Sequence, residues 1–544
     1  MKHVLVTAAL LVAVCFFTHF AVAQETNVLE GLHGDFQWDA AYYGQDSVIG
    51  TPEYPEKIGS NAYLQLLYDR AGFSAGLRFE SYQPALQGFD RRYNQSAIPY
   101  RFIRYRTEKI DVTVGNIYEQ FGTGLIFRAY QDWNLGFDNS LDGIRGIFTP
   151  LPALRIKAMV GRQRFYFDKG PGLVRAADAE LDFGLVPNLD STLLSGLRVG
   201  VAAVSKFQKD EDPTLRLPEN VASVSPRITY VRGLTNFTVE YAYKVNDPSA
   251  VNAQIYRPGQ ALIGLLSHAS ANYGFTLGAK RIDNMDFRSD RNASLNDLLI
   301  GFLPALTPPL TYRLTTLYPY ATQPRGEMGL QGDFFYRFYP ETPLGGSSGL
   351  YFQANYARIH GLDEVPTGDL RGYTSDFFTP GKTLYYENLN LEVQKKLSGK
   401  VKVTAGYYYI VANNNIVRVT DFEGTIFSHT GVVDLLWKIR PKRSLRIEAQ
   451  ALFTKQDRGN WAMLLAEYSV APHWFFAVSN ELNYQNPKTD KPINYFFGTI
   501  GYLSGPYRFT VGYGRQRAGV FCVGGVCRTV PASNGLSVSI SGSF

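Results

Sequence analysis

Residues 444–453 read SLRIEAQALF, and the apolar positions from Leu445 to Phe453 alternate with polar ones such as Arg446 and Glu448. Successive side chains of a β-strand point to opposite faces, so this segment predicts a strand with one apolar and one polar face. The same alternation recurs in residues 62–69, 73–80, 388–394 and 507–514. The sequence therefore predicts an all-β protein.

The composition agrees with this prediction and excludes two other classes of protein. The chain has 36 Tyr, 36 Phe and 51 Gly but only 5 Met, a balance that suits strands, tight turns and aromatic girdles. Beyond the N-terminal segment, no stretch reaches the roughly 20 uninterrupted apolar residues of a membrane-spanning helix. The net charge of +6 is small for 544 residues and the basic residues are scattered, so no nucleic-acid partner is expected.

The N-terminus has the pattern of an export signal. One lysine is followed by an apolar run from Val4 to Phe20, and Ala21-Val22-Ala23 precedes Gln24. We expect a signal peptide over 1–23 and a single barrel domain over 24–544. The alternative, a lipoprotein signal at Cys15, fits less well because Val14 stands where a small residue is expected.

The lengths of the connections distinguish a membrane barrel from a soluble β-sandwich. Tight turns, as at 70–72, 107–109 and 471–473, alternate with long polar connections, as at 83–98, 246–259 and 359–382. Outer-membrane barrels have short periplasmic turns and longer extracellular loops. We therefore expect a large antiparallel transmembrane β-barrel in the lipid bilayer of the outer membrane, with both termini in the periplasm.

The expected number of strands depends on one region. Counting throughout gives about 26 strands, but Pro304, Pro308 and Pro309 interrupt the pattern around 298–320. If that region is an inserted loop, about 24 strands remain, again an even number, as single-chain bacterial outer-membrane barrels have. A lumen of this size is open unless something fills it, so we expect inward-folded loops to plug it in part.

The best candidate for such a plug is YEQFGTGLIFRAYQDWNLGFDNSLDGIRG, residues 118–146, which is too apolar for a solvated loop tip. It could fold inward and pair with charges in the lumen, or it could pack outside against neighbouring loops. The candidate plug residues are Phe121, Arg128, Asp132, Trp133, Asp138, Asp142 and Arg145.

Two blocks also carry a family resemblance. EQFGTGLIFRAYQDWNLGFDNSLDG, residues 119–143, and YPYATQPRGEMG, residues 318–329, resemble an uncharacterised family of outer-membrane β-barrels, a domain-of-unknown-function family of Bacteroidota-type envelopes. The resemblance extends over nearly the whole mature chain. It implies the location and the fold, and it implies no catalytic residue.

Charges at polar positions of the strands are expected to face the lumen. They could make a pore selective for anions, but salt-bridge networks that brace the barrel are favoured because acids lie on adjacent strands. The candidate lumen charges are Arg78, Arg104, Arg106, Arg446, Glu448 and Arg508.

Cys522 and Cys527, in the motif FCVGGVC, enclose a short glycine-containing loop. In an oxidising compartment two such cysteines are expected to form a disulfide. The alternative, half of a metal site, lacks a neighbouring histidine or second cysteine pair.

The last residues, NGLSVSISGSF, end on an aromatic residue. Leu536, Val538 and Ile540 share the strand face of Phe544, which resembles the C-terminal signature read by the barrel assembly machinery. Gly542 departs from that pattern at one position. We expect the machinery to be a partner during insertion.

Enzymatic function is not expected. Beyond the signal peptide the histidines are His33, His268, His360, His429 and His473, and none lies in a recognisable nucleophile motif. Metal signatures such as HxxxH or paired CxxC are missing from the sequence, so no metal and no cofactor are assigned.

Two hypotheses about function remain. The first is a non-enzymatic channel or translocation component, gated by a loop that folds into the lumen. The alternative is a structural barrel subunit that docks envelope proteins in an outer-membrane assembly or secretion complex.

Overall fold

In the computed structural model, one antiparallel sheet of 24 strands closes on itself as a barrel. The structure describes residues 30–189, 193–489, 491–523 and 526–544. The predicted signal peptide lies outside the described residues. Within those ranges, no helix is long and apolar enough to cross a membrane.

The first twelve barrel strands lie in chain order. They are β1 (Leu32–Gly44), β2 (Ile58–Arg70), β3 (Phe73–Tyr82), β4 (Ser96–Arg106), β5 (Ile110–Ile117), β6 (Leu141–Leu151), β7 (Leu154–Phe165), β8 (Asp168–Asp182), β9 (Leu197–Phe207), β10 (Asn220–Arg232), β11 (Thr235–Lys244) and β12 (Gly259–Ala269). Each pairs with its neighbours along the chain, so the sheet contains no crossover.

The second twelve strands complete the barrel. They are β13 (Tyr273–Asp283), β14 (Gly326–Phe338), β15 (Leu350–Pro366), β16 (Tyr373–Lys396), β17 (Val401–Asn413), β18 (Thr425–Arg440), β19 (Arg443–Phe453), β20 (Asn460–Val470), β21 (Trp474–Gln485), β22 (Ile493–Ser504), β23 (Tyr507–Gln516) and β24 (Ser533–Ser543). Closure occurs where β24 pairs with β1, from Asp35 opposite Ser543 to Gly44 opposite Asn534.

The remaining elements are short and lie in the connections. The helical ones are Arg91–Tyr93, Phe183–Leu185, Leu193–Gly196, Thr315–Leu317 and Asn414–Val417. Three small hairpins pair Glu119–Gln120 with Arg128–Ala129, Gln131–Asp132 with Phe137–Asp138, and Gly519–Val523 with Val526–Val530.

The strand count of 26 is wrong, and the lower count of 24 is the observed one. Residues 284–325 form a single connection between β13 and β14 instead of contributing a further pair of strands. Pro304, Pro308 and Pro309 have no amide hydrogen to donate to a ladder, which explains why a central strand does not form there.

The two faces of the sheet differ in character. On β5, Val112 and Val114 are exposed on the outer surface, whereas Asp111 and Thr113, which alternate with them, are buried on the inner side. The outer face is apolar elsewhere too, as at Leu330, whereas the inner face carries both polar residues and apolar residues that meet the loops. An apolar exterior is the arrangement of a barrel that spans a membrane.

The two ends of the barrel also differ. One end, here the turn end, carries most of the short connections and both described termini, Glu30 and Phe544. The other, the loop end, carries the connections 45–57, 83–95, 118–140, 208–219, 245–258, 284–325 and 517–532. Two longer connections, 183–196 and 339–349, lie at the turn end, and β7 and β8 are joined at the loop end by only Tyr166 and Phe167.

The long connection predicted at 359–382 is also wrong. β15 and β16 continue through this region and leave only residues 367–372 unpaired. Residues 361–366 and 373–385 pair only with each other, because pairing with β14 stops at His360 and pairing with β17 stops at Tyr386. This hairpin therefore projects beyond the rim of the barrel.

Candidate functional site

Residues 118–140, here the inner loop, lie inside the barrel. Phe121, Leu125, Ile126 and Phe127 are fully or almost fully buried. They share one apolar cluster with inward-facing residues of nine consecutive strands, β5 to β13, namely Ile117, Leu141, Met159, Val174, Ala176, Ala202, Val204, Val221, Ala242, Ala261, Ile263 and Ile282. The inner loop therefore packs against about one third of the barrel wall.

A glycine turn brings the inner loop against that wall. Gly122 has φ +52°, and a Cβ there would lie 2.3 Å from Glu240 Oε2 on β11. The next residue, Thr123, donates its backbone N–H to the same carboxylate oxygen at 2.6 Å. Both the backbone conformation and the close approach therefore favour glycine.

Residues 284–325, here the strap, contact opposite walls of the lumen. Near its start, Met285, Phe287 and Ile300 join the cluster that contains the inner loop. Near its end, Leu314, Leu317, Tyr318 and Tyr320 pack against inward-facing residues of β15 to β20 and β22, namely Ile359, Tyr386, Ile410, Ala412, Ile426, Leu452, Trp461, Met463 and Tyr495. The strap thus extends from one side of the barrel to the other.

The strap is also fastened by polar contacts. Arg313 Nε lies 2.7 Å from Glu481 on β21, and Arg517 donates to the backbone oxygen of Arg313 at 2.9 Å. Lys280 on β13 lies 2.5 Å from Glu327, which also accepts a hydrogen bond from Tyr320. These contacts hold the end of the strap to the wall that its apolar residues cover.

A buried ionic network joins the inner loop to β3 and β7. Asp138 pairs with Arg78 and lies 2.8 Å from Arg164 Nη1, and Glu80 pairs with the same two arginines at 2.8 and 2.6 Å. Tyr118 Oη donates to Asp138 at 2.7 Å. Burial raises the pKa of Asp138, but the attraction of Arg164 and Arg78 outweighs burial, so the pKa lies below its ordinary value.

A second network lies closer to the turn end. Glu119 lies 3.1 Å from Arg145 on β6 and 2.9 Å from Lys157 on β7. Arg145 also lies 3.2 Å from Asp111, which pairs in addition with Arg104. The inner loop is therefore held by charge pairs at both of its ends.

The other predicted plug residues lie between the two loops and the wall. The Arg128 guanidinium sits between the rings of Tyr130 and Phe302, 4.1 and 4.0 Å from their centroids, and so links the inner loop to the strap. The ring of Trp133 lies against that of Tyr63, with the centroids 3.8 Å apart and the planes tilted by 44°. Asp132 accepts a hydrogen bond from Leu135 N at 3.1 Å within its own turn.

Asp142 and Arg145 do not belong to the inner loop, because β6 begins at Leu141. Leu141 faces inward, so alternation turns Asp142 outward and Arg145 inward. The expectation that Asp142 pairs with lumen charges is wrong. Its carboxylate lies 2.6 Å from Lys169 and 3.2 Å from Arg101 on the outer surface.

The predicted lumen charges fall into two groups. Arg78, Arg104, Arg446 and Glu448 belong to ion pairs, with Arg446 2.8 Å from Asp434 and in contact with Glu448. Arg106 and Arg508 make no ion pair with the described residues. Arg508 instead lies over the ring of Phe475, 5.4 Å from its centroid.

One side of the lumen is only partly filled by the loops. A cavity of about 580 Å³, here the slot, separates Trp133 and Asn134 from the wall formed by β22 to β24 and β1. This wall presents small polar residues, among them Thr499, Thr510, Gly512, Ser537 and Ser539. Sequence reasoning missed the slot, although the polar positions of 535–543 are all Ser or Gly.

The hairpin 519–530 covers part of the loop end. Cys522 and Cys527 are opposite each other in its register, and Cys527 is disulfide-bonded. Asn296 of the strap donates to the backbone oxygen of Cys527 at 2.7 Å. The hairpin and the strap are therefore connected.

The C-terminal residues lie at the closure of the barrel. Leu536, Val538 and Ile540 are opposite Tyr42, Ala40 and Trp38 of β1. Phe544 and Gly34 exchange two backbone hydrogen bonds of 2.9 and 3.0 Å. The predicted insertion signal is thus part of the seam between the last strand and the first.

In the ranges that the structure describes, no group of three or more His, Cys, Asp or Glu residues is arranged to hold a metal ion. His268 lies 2.9 Å from Thr235 Oγ1, His429 lies 2.8 Å from Tyr407 Oη, and His473 lies 2.7 Å from the Leu503 backbone oxygen.

The model of a family of unknown function, DUF6029, matches residues 1–544. The chain belongs to this family. The predicted resemblance to a domain-of-unknown-function family is confirmed, and the Bacteroidota origin stays a prediction. No curated protein matches the chain.

Several solved structures match the chain at low sequence identity. The translocation pore of the P pilus usher PapC is 9% identical, with 94% of this chain and 99% of that chain covered, at TM-score 0.44. OpdK of Pseudomonas aeruginosa is 14% identical over 70% of this chain and 94% of that chain, at TM-score 0.36. The siderophore receptor PirA of Pseudomonas aeruginosa is 10% identical over 94% of this chain and 80% of that chain, at TM-score 0.39.

Proposed function

We propose that this DUF6029 protein is an integral outer-membrane barrel that acts as a channel or translocation component, held closed by the inner loop and the strap. The observation that carries the proposal is that the strap packs against opposite walls of the lumen. A barrel of 24 strands without such a filling would enclose a wide aqueous opening. The loops therefore act as a plug in the proposed mechanism.

The slot supplies the route by which the plug could open. Its wall presents small residues such as Thr510, Gly512 and Ser537, which leave free volume beside Trp133. In contrast, the strap is fixed to the far wall by the apolar cluster around Trp461. We propose that opening widens the slot by displacing Trp133 and its neighbours.

Membrane placement and topology belong to the same proposal. The exposed apolar exterior would face lipid, and the loop end would face outward, as in other outer-membrane barrels. Both termini would then lie in the periplasm, because both are at the turn end.

Planar-bilayer recording of the purified protein tests closure by the strap. The variant Arg313→Ala/Tyr318→Ala removes the ion pair with Glu481 and a side chain that is 1% exposed. We expect larger or more frequent conductance steps than in the wild type, since the strap is released from one wall. The control Arg371→Ala/Phe378→Ala changes the projecting hairpin, outside the lumen, and is expected to record as the wild type.

The wild type and the strap variant could instead both be silent while remaining folded, as judged by heat-modifiable migration in SDS gels. That result would contradict the channel proposal. It would favour the second candidate function.

The second candidate is a structural subunit of an envelope complex. The projecting hairpin exposes Phe378 (84%), Leu370 (67%) and Val365 (60%), and exposed apolar residues grouped in this way are typical of interaction sites. Gentle extraction followed by mass spectrometry tests this role. A partner that copurifies with the wild type but not with Leu370→Ser/Phe378→Ser would support it.

The proposal includes no catalytic step. In support, His268, His429 and His473 contact only rings, hydroxyls and backbone oxygens in the contacts described above. No partner or substrate is assigned beyond the membrane, the barrel assembly machinery and a docked envelope protein.

A further inference from the structure

Four basic residues lie close together on the outer surface of the barrel near the loop end. They are Arg101 on β4, Arg162 on β7, and Lys169 and Arg175 on β8, here the outward basic patch. Arg162 is opposite Asp142 and Leu173, and Arg175 is opposite Val160. The register therefore brings outward side chains of the three adjacent strands β6, β7 and β8 close together. All four basic side chains are exposed.

The patch has more positive charge than its acids can balance. The Asp142 carboxylate is shared by Lys169 at 2.6 Å and Arg101 at 3.2 Å. Arg162 and Arg175 have no ion pair or hydrogen bond among the described side chains. Even if Asp168 at the hairpin tip is counted with Asp142, four basic residues against two acids leave an excess of two positive charges.

The height of the patch matches the edge of a membrane. Below Arg162, the outward residues Val160, Ala158, Ile156 and Leu154 continue to the turn end. Eight residues at about 3.3 Å each, on a strand tilted by about 40°, correspond to roughly 20 Å of height. An apolar belt is about 25 Å tall, so Arg162 lies near its loop-end boundary. Arg175, opposite Val160, lies two residues deeper on the neighbouring strand.

Two unpaired arginines facing lipid are unfavourable without an anion. Arg162 and Arg175 are diagonal neighbours on paired strands, so their charges repel each other. Arginine on the lipid face is destabilising, but less so near the interface than at the midplane. A phosphate between the two guanidinium groups would remove both problems, because guanidinium binds phosphate through paired hydrogen bonds.

An apolar groove adjoins the patch. This groove, of about 830 Å³, is lined by residues of β2 to β6 that include Leu66, Leu77, Val114 and Ile144. Arg101, Asp142 and Lys169 form part of its edge. A basic edge beside an apolar groove suits a molecule with a phosphate headgroup and an acyl chain.

We propose that the outward basic patch binds the phosphorylated headgroup of a lipid in the leaflet that faces the loop end, with an acyl chain in the adjoining groove. Arg162 and Arg175 hold the phosphate, while Arg101 and Lys169 are partly neutralised by Asp142. The inference rests on the proposed placement of the barrel in the membrane and not on conduction through it.

Native mass spectrometry of the folded full chain tests this site. The detergent-solubilised protein is titrated with a diphosphorylated lipid A and, separately, with its dephosphorylated counterpart of identical acyl chains. The test variant is Arg162→Gln/Arg175→Gln. The matched control is Lys109→Gln/Arg232→Gln, which removes two exposed basic residues at the turn end.

We expect the wild type and the control to retain the phosphorylated lipid in preference to the dephosphorylated one. Each basic residue near an anionic lipid surface strengthens binding about fivefold, so the test variant should lose about 25-fold in affinity. Free inorganic phosphate should not compete at concentrations that leave the protein folded, because it has no acyl chain for the groove.

Equal retention of the two lipids by the wild type would overturn the proposal. So would unchanged retention by the test variant, or photo-crosslinking from position 162 to a protein instead of a lipid. If planar-bilayer recording shows no conductance, the channel proposal is contradicted but the lipid-binding proposal is not. The two proposals can therefore fail separately.

Discussion

Asp138 is the residue on which the buried network depends. It is the inner-loop carboxylate that neutralises both Arg78 and Arg164, and it is almost completely buried with them. Replacement by asparagine leaves two guanidinium groups to share Glu80. We predict that Asp138→Asn lowers the free energy of unfolding by about 3 kcal/mol, the usual loss when one partner of a buried pair is removed. Guanidinium denaturation in micelles, monitored by tryptophan fluorescence, measures this free energy.

The matched control is Asp369→Asn, which breaks an exposed pair with Arg371 on the projecting hairpin. This variant should unfold as the wild type does, since exposed ion pairs contribute little. If Asp138→Asn also unfolds as the wild type, the inner loop is not held by its charges.

Asp138 also makes the stability of the protein depend on pH. Because the pKa of Asp138 is lowered in the folded state, its contribution to stability is present above its ordinary pKa and is lost as pH falls through the folded value. We predict that the difference in stability between wild type and Asp138→Asn narrows below about pH 4. Repeating the denaturation at several pH values checks it, and a difference that widens on acidification would contradict the assignment.

Alternation predicted most elements of the barrel from the sequence, because it depends only on neighbouring residues of one strand. It could not place the strap, since nothing in residues 284–325 states that Leu314 and Tyr318 pack against β15 to β20. Those contacts join residues more than 40 positions apart. The apolar residues of 118–140 predict an inward fold because they have no place in a solvated loop, and the role of this segment as a plug stays a prediction. Asp142 lies outside the inner loop because β6 begins at Leu141.

The hairpin 519–530 is the element whose covalent state can be tested directly. Cys522 and Cys527 are opposite each other in its register, so we predict a disulfide between them. Without reductant, the peptide that contains both cysteines should resist iodoacetamide, and after reduction it should gain two alkyl groups. Cys522→Ser should leave Cys527 free to react. Alkylation of both cysteines before reduction would show that the pair is not formed.

At the scale of the whole molecule, the seam between β1 and β24 decides whether the barrel closes. Leu536, Val538 and Ile540 lie on the outward face of this seam, and Phe544 is bonded to Gly34. We predict that deletion of Phe544 leaves most of the protein unassembled, because both the insertion signal and the last contact with β1 are lost. Heat-modifiable migration of the membrane fraction measures assembly. Ser543→Ala, one position earlier, should assemble normally.

An even number of strands places both ends of the chain on one side of the membrane, and the length of the loops indicates which side that is. We predict that an epitope tag after Phe544 is inaccessible to antibody in intact cells, whereas a tag in residues 367–372, at the tip of the projecting hairpin, is accessible. Permeabilising the outer membrane should expose the C-terminal tag without changing the signal from the hairpin tag. The reverse pattern would mean that the loop end faces the periplasm, and the outward basic patch would then face the inner leaflet.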